Sequence, residues 1–112
     1  MAYSIAIADS AKTEYREALT YIAKTLASPQ AMKSLTDAYE AALYTLRAFP
    51  KAYRVDAYAK RETGQPIRKV NVRNYGLFYL VNDSDRQVRI LSFLHNSRDA
   101  IFRLTQDLDA LN

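Results

Sequence analysis

The sequence contains no cysteine and no tryptophan, only one histidine, two glycines and three prolines. Without cysteine there is no disulfide framework and no thiolate metal site. One histidine is too few for a zinc site of His and Cys ligands, so neither a metal nor another cofactor is expected. No apolar run approaches the roughly 20 residues of a membrane span, so no membrane partner is expected. The opening "MAYSIAIADSAK" lacks a basic segment and a long apolar core, so it does not read as a signal peptide, and a cytoplasmic location follows as the expectation.

What is present suits one compact unit. The 112 residues are 49% hydrophobic, enough for a single core, and residues 1–112 read as one domain. The net charge of +4 is unevenly spread. Residues 1–46 carry four basic and five acidic side chains, whereas residues 47–103 carry twelve basic and five acidic, a local +7. Such asymmetry suits a polyanion or an acidic protein partner, and equally a well-solvated basic surface.

Hydrophobic spacing divides the chain into elements. "YSIAIA" (Tyr3 to Ala8) alternates as a short strand. Asp9 or Ser10 is placed to cap a helix to about Leu26, with Tyr15, Ala18, Leu19, Ile22 and Leu26 on its apolar stripe. Ser28 and Pro29 open a second helix, with Met32, Leu35, Tyr39, Ala42, Leu43 and Leu46 inward, and Phe49-Pro50 ends it near Ala48. The short connection predicts an antiparallel helical hairpin. Residues 51–66 read as a long loop, with at most one short strand. Three strands follow, at Ile67 to Val72, Tyr75 to Val81 and Gln87 to Leu94, joined by turns at Arg73-Asn74 and at residues 82–85. "YGLFYLV" is apolar on both faces, as a central strand would be. A C-terminal helix carries Ile101, Leu104, Leu108 and Leu111 on one stripe, with Asp99 or Ser97 near its cap. The fold class is therefore α+β: an N-terminal strand and an antiparallel helical hairpin on a mostly antiparallel four-stranded sheet, with a C-terminal helix.

The opening strand, the hairpin ending "LRAFP", and "IRKVNVRNYGLFYLV" followed by "VRILSFLHNSRD" resemble the RelE/ParE superfamily of bacterial toxins from type II toxin–antitoxin modules. The resemblance spans nearly the whole chain. It implies a small basic toxin held inactive in a hetero-oligomer by a cognate antitoxin, a system associated with growth arrest and plasmid stabilization. RelE-like members cut messenger RNA on the ribosome. ParE-like members share the fold and poison DNA gyrase.

Metal-free RNA cleavage needs a base for the 2′-hydroxyl, an acid for the leaving oxygen and cations for the developing charge. Gly76 stands where RelE-like toxins carry an arginine, and the tail after Arg98 has neither tyrosine nor histidine. These departures, with the long helical hairpin, point to the ParE branch and a non-enzymatic gyrase inhibitor. The alternative is a RelE-like endoribonuclease, whose catalytic residues would be His95, Arg98 and Arg73. Histidine suits acid–base work near neutral pH, but His95 can also simply end a strand. In the stretch Lys51 to Lys69, Arg54, Arg61, Arg68 and Lys69 interleave with tyrosines, as residues that grip phosphates and stack on bases do. That stretch reads equally as a solvated loop. Tyr21 and Tyr44, beside the helical stripes, are the candidates for antitoxin contact.

Overall fold

The computed structural model describes residues 2–97 and 99–111. Strand β1 (Ser4–Ile7) leads into helix α1 (Asp9–Tyr21), which passes into a π-helical turn at Ile22–Leu26. Helix α2 (Pro29–Ala48) and a short α3 (Ala57–Thr63) precede β2 (Arg68–Val72), β3 (Tyr75–Asn82) and β4 (Gln87–His95), and α4 (Ala100–Leu111) closes the fold. The sheet order is β1-β4-β3-β2, with β1 parallel to β4 and the other pairs antiparallel. This is the expected α+β arrangement, and the doubly apolar β3 is indeed central.

Local chemistry explains the helix starts. Ser28 Oγ accepts a hydrogen bond from Ala31 N–H at 3.1 Å, and Pro29 takes the first helical position. Helix α1 begins differently from the expectation. Its N-cap is Ala8, whose N–H donates to the Ile90 carbonyl as the chain leaves β1. Asp9 and Ser10 are thereby already inside the first turn. Asp9 can favour the helix dipole there, while Ser10 Oγ donates to the Leu91 carbonyl at 3.0 Å.

Two further expectations need correction. Leu26, expected on the apolar stripe, is the last residue of the π turn, where the chain leaves the helix through Ala27 at φ 47°; Ile22 is buried and Leu26 is 51% exposed. The presumed loop 51–66 contains α3. Asp56 caps it by accepting from Ala59 N–H at 2.9 Å, and Gly64, at φ 75°, ends it in a left-handed turn. The only strand-like pairing of that stretch among the described residues is the bridge between Val55 and Arg68.

The sheet buries both faces. Val70, Val72, Leu77, Tyr79, Val88, Ile90 and Phe93 pack under α1, the π turn and α2. Ile67, Phe78, Leu91 and Leu94 pack under α3 and α4. A bulge makes this possible: Phe78 pairs with Ser92 but Tyr79 with Ile90, so Leu91 is the extra residue. Beyond the bulge the parity of β4 is reset, sending Phe93 to the hairpin face and Leu94 to the α4 face.

Strand β1 covers only Gln87 to Ile90 of the outer edge of β4. Past that point α1 supplies the missing partners. Ser10 takes the Leu91 carbonyl, and one turn later Glu14 Oε1 accepts from Phe93 N–H at 2.9 Å.

Candidate functional site

The polar sequence that ends β4 begins with His95, Asn96 and Ser97. Because successive strand residues point to opposite faces, it is divided between two sides of the sheet.

On the hairpin side, His95 and Arg73 line a cavity of about 320 Å³ beneath the π turn. Its floor is apolar, from Ile22, Leu26, Ala31 and Leu35, and its rim is polar, from Arg73, Asn74, Tyr75 and His95. The two-residue turn holding Arg73 sets its φ at 56°, a left-handed conformation uncommon for a residue other than glycine. His95 pairs with Tyr75 across the ladder, and their rings meet edge-on at 5.5 Å. Tyr75 stacks on Phe93 at 4.9 Å, and Phe93 meets the stacked pair Tyr15–Tyr39 edge-on. Burial first, and then nearby Tyr21, push the Tyr75 hydroxyl above its ordinary range. It therefore stays protonated at neutral pH and can donate but not act as a base.

On the α4 side lies a second cleft of about 380 Å³, lined by Lys69, Phe78, Asn96, Ser97 and Tyr58. Gly76 sits at its inner wall, on the central strand. A Cβ built there would lie 2.6 Å from Lys69 Cε and 3.1 Å from Asn96 Oδ1. The stem of Lys69 thus fills the space over Gly76, and its Nζ lies 5.6 Å from the centre of the Phe78 ring. A side chain longer than hydrogen at position 76 requires Lys69 to move.

The basic residues of the Lys51 to Lys69 stretch do not form one patch. Arg54 and Lys69 line a common groove of about 440 Å³ with Tyr58 and Asn71. Arg61 stacks its guanidinium 4.3 Å over the Tyr58 ring at the edge of that groove. Arg68 instead donates from Nη1 to the Tyr53 carbonyl at 2.7 Å and pins the chain before α3 to the sheet. Tyr21 and Tyr44 are 52% and 75% exposed. They are not neighbours: Tyr21 borders the cavity at the hairpin tip, and Tyr44 lies fifteen residues into α2, roughly 20 Å along its axis. Arg98 lies outside the described residues. Among the described residues, no three His, Cys, Asp or Glu side chains converge as metal ligands would.

Sequence reasoning passed over one cluster. Glu14 is only 8% exposed and faces Asp107 of α4, which accepts from Ser92 Oγ. With Glu17, His95 and Arg103 it borders a cleft of about 210 Å³. Burial, then a hydrogen bond with Asp107, push the Glu14 carboxyl up to about 8. The signal was an acid on an otherwise apolar stripe, between buried Ala11 and Ala18.

The family model for the ParE toxin of type II toxin–antitoxin systems, parDE, matches residues 5–100. No curated protein sequence matches the chain. Among solved structures, the chain is similar to a mutant of the E. coli toxin RelE in the free state, at 17% identity and a TM-score of 0.64, over 100% of both chains. That likeness is one of fold, and both findings agree with the resemblance read from the sequence.

Proposed function

The chain belongs to the ParE toxin family of type II toxin–antitoxin systems, and on that footing we propose that it arrests growth by binding DNA gyrase rather than by cutting RNA. A cognate antitoxin neutralises it, and the target places its action in the cytoplasm. The observation that carries the reading is the filled space at Gly76. Metal-free cleavage needs its base, acid and cations around one phosphate. Here His95 and Arg73 lie on the hairpin side and Lys69 on the α4 side. The central position between them is a glycine roofed by a lysine stem.

In this reading Arg54 and Lys69, which line one groove with Asp56, together with Arg61 stacked over Tyr58 at its edge, meet an acidic surface of the target. The separation of Tyr21 and Tyr44 fits an antitoxin segment that runs along the hairpin rather than touching one spot. The test places purified protein with gyrase and, separately, with translating ribosomes. Supercoiling should stop at micromolar toxin while messenger RNA stays intact. Cleaved messenger RNA with normal supercoiling would reverse the conclusion.

One observation favours a ribosome-dependent endoribonuclease as the second reading: His95 and Arg73 share a cavity large enough for a nucleobase. It requires that His95→Ala or Arg98→Ala, in folded protein, abolish toxicity.

A further inference from the structure

We propose that a proton shared by Glu14 and Asp107 latches α4 onto the open edge of β4, and that loss of this proton at rising pH releases α4 from the sheet. Three elements meet at the latch. From α1, Glu14 Oε1 accepts from Phe93 N–H at 2.9 Å, on the stretch of β4 that β1 leaves uncovered. From α4, Asp107 accepts from Ser92 Oγ, one residue earlier on the same strand. The two acids therefore converge on adjacent residues of one strand. Two carboxylates so placed repel each other, and a proton on one removes that repulsion and makes it a donor to the other.

The surroundings favour a single proton. Glu14 is almost wholly buried, which disfavours its charge, and the negative charge of Asp107 disfavours it further. The opposing influences are the Phe93 N–H and the guanidinium of Arg103, one turn before Asp107 on α4. The other titratable groups bordering the cleft are Glu17 and Tyr21 of α1, Tyr75 of β3 and His95 of β4. The ordinary glutamate value of 4.5 and the raised value of about 8 set the window. Between them the docked helix holds a proton that a released helix would give up.

Release has two consequences. The apolar residues Phe78, Leu91 and Leu94 lose the cover that Leu104, Ile101 and Leu108 give them. Arg103 also leaves the cleft it shares with His95. The latch therefore sets what lies beside His95, whichever target the toxin has.

Amide hydrogen exchange of the full chain tests this. If docking of α4 takes up one proton, its opening equilibrium grows up to about tenfold per pH unit between pH 5 and 8 and then levels off. Protection factors of α4 amides should fall accordingly, while those of β3, which report global unfolding, stay higher. Glu14→Gln keeps the acceptor for Phe93 and offers Asp107 a donor that cannot ionise. Its α4 should stay protected through pH 8.5. Equal pH slopes in wild type and Glu14→Gln, or loss of α4 and β3 protection in step, would overturn the proposal. Should Glu14→Gln not fold, Asp107→Asn decides: removing the anion should move the levelling-off to lower pH, and an unmoved profile refutes the latch.

Discussion

Replacing Phe93 should damage this protein more than the loss of its volume predicts. The ring is 2% exposed and sits where three aromatic contacts converge: edge-on to Tyr15 at 5.2 Å, edge-on to Tyr39 at 5.5 Å, and stacked on Tyr75 at 4.9 Å. It joins α1 and α2 to the strand end that bears His95. Phe93→Ala should cost about 4 kcal/mol, the usual range for a large ring removed from a core. Phe93→Leu is the sharper test. A swap that keeps most of the volume ordinarily costs under about 1.5 kcal/mol. Here it also forfeits three ring pairs, each worth ~0.5–1.5 kcal/mol, so roughly 2–3 kcal/mol is expected. Against a total of ~5–15 kcal/mol, that is a large loss. Urea unfolding followed by tyrosine fluorescence would give the difference in midpoint at constant slope. A cycle with Tyr15→Leu should show a coupling of about 1 kcal/mol. If Phe93→Leu lies within 1 kcal/mol of wild type and the cycle is additive, the rings merely fill space and the ladder reasoning fails.

Three other outcomes follow from named contacts. Tyr79 is fully buried and donates from its hydroxyl to the Pro50 carbonyl at 2.9 Å; Tyr79→Phe should cost about 1–2 kcal/mol in urea, because the carbonyl is left without its donor. Ser28→Ala removes the cap of α2 and should lower stability by about 1 kcal/mol, read as a drop in Tm. Gly76→Arg should displace Lys69 and yet confer no cleavage of messenger RNA in a translating extract; appearance of cleavage there would argue that the chain is one residue away from an endoribonuclease.

Much of the fold was legible because the relevant signals are short-range. The alternation of Val70 and Val72, the turn at Arg73-Asn74 and the doubly apolar "YGLFYLV" each act over a few residues, and each element formed where expected. Helix α3 was readable in principle. Asp56 and Gly64 stand eight residues apart with no proline between them, but a segment with only Ala59 buried shows no apolar periodicity to draw attention. The π turn and the bulge at Leu91 were not readable. Each is one residue out of phase with its element, and only tertiary packing decides which phase wins.

The bulge also explains why the site was the hardest part to read. In "ILSFLHN" unbroken alternation from Val88 would put Ser92 and Leu94 on the hairpin face and Phe93 and His95 on the other. The extra residue at Leu91 reverses this. Phe93 enters the aromatic ladder and His95 joins Arg73, while Leu94 goes to α4 and Asn96 to the Lys69 cleft. Residues contiguous in sequence therefore serve opposite faces, and a catalytic reading that pools His95 with Lys69 assumes a parity this strand does not have. The same reset leaves Phe93 N–H on the open edge past the end of β1 and turns Ser92 Oγ to the α4 face, and side chains satisfy both. Glu14 and Asp107 do so from two different helices, which is why an acid on the apolar stripe of α1 is part of the structure and not an exception to it.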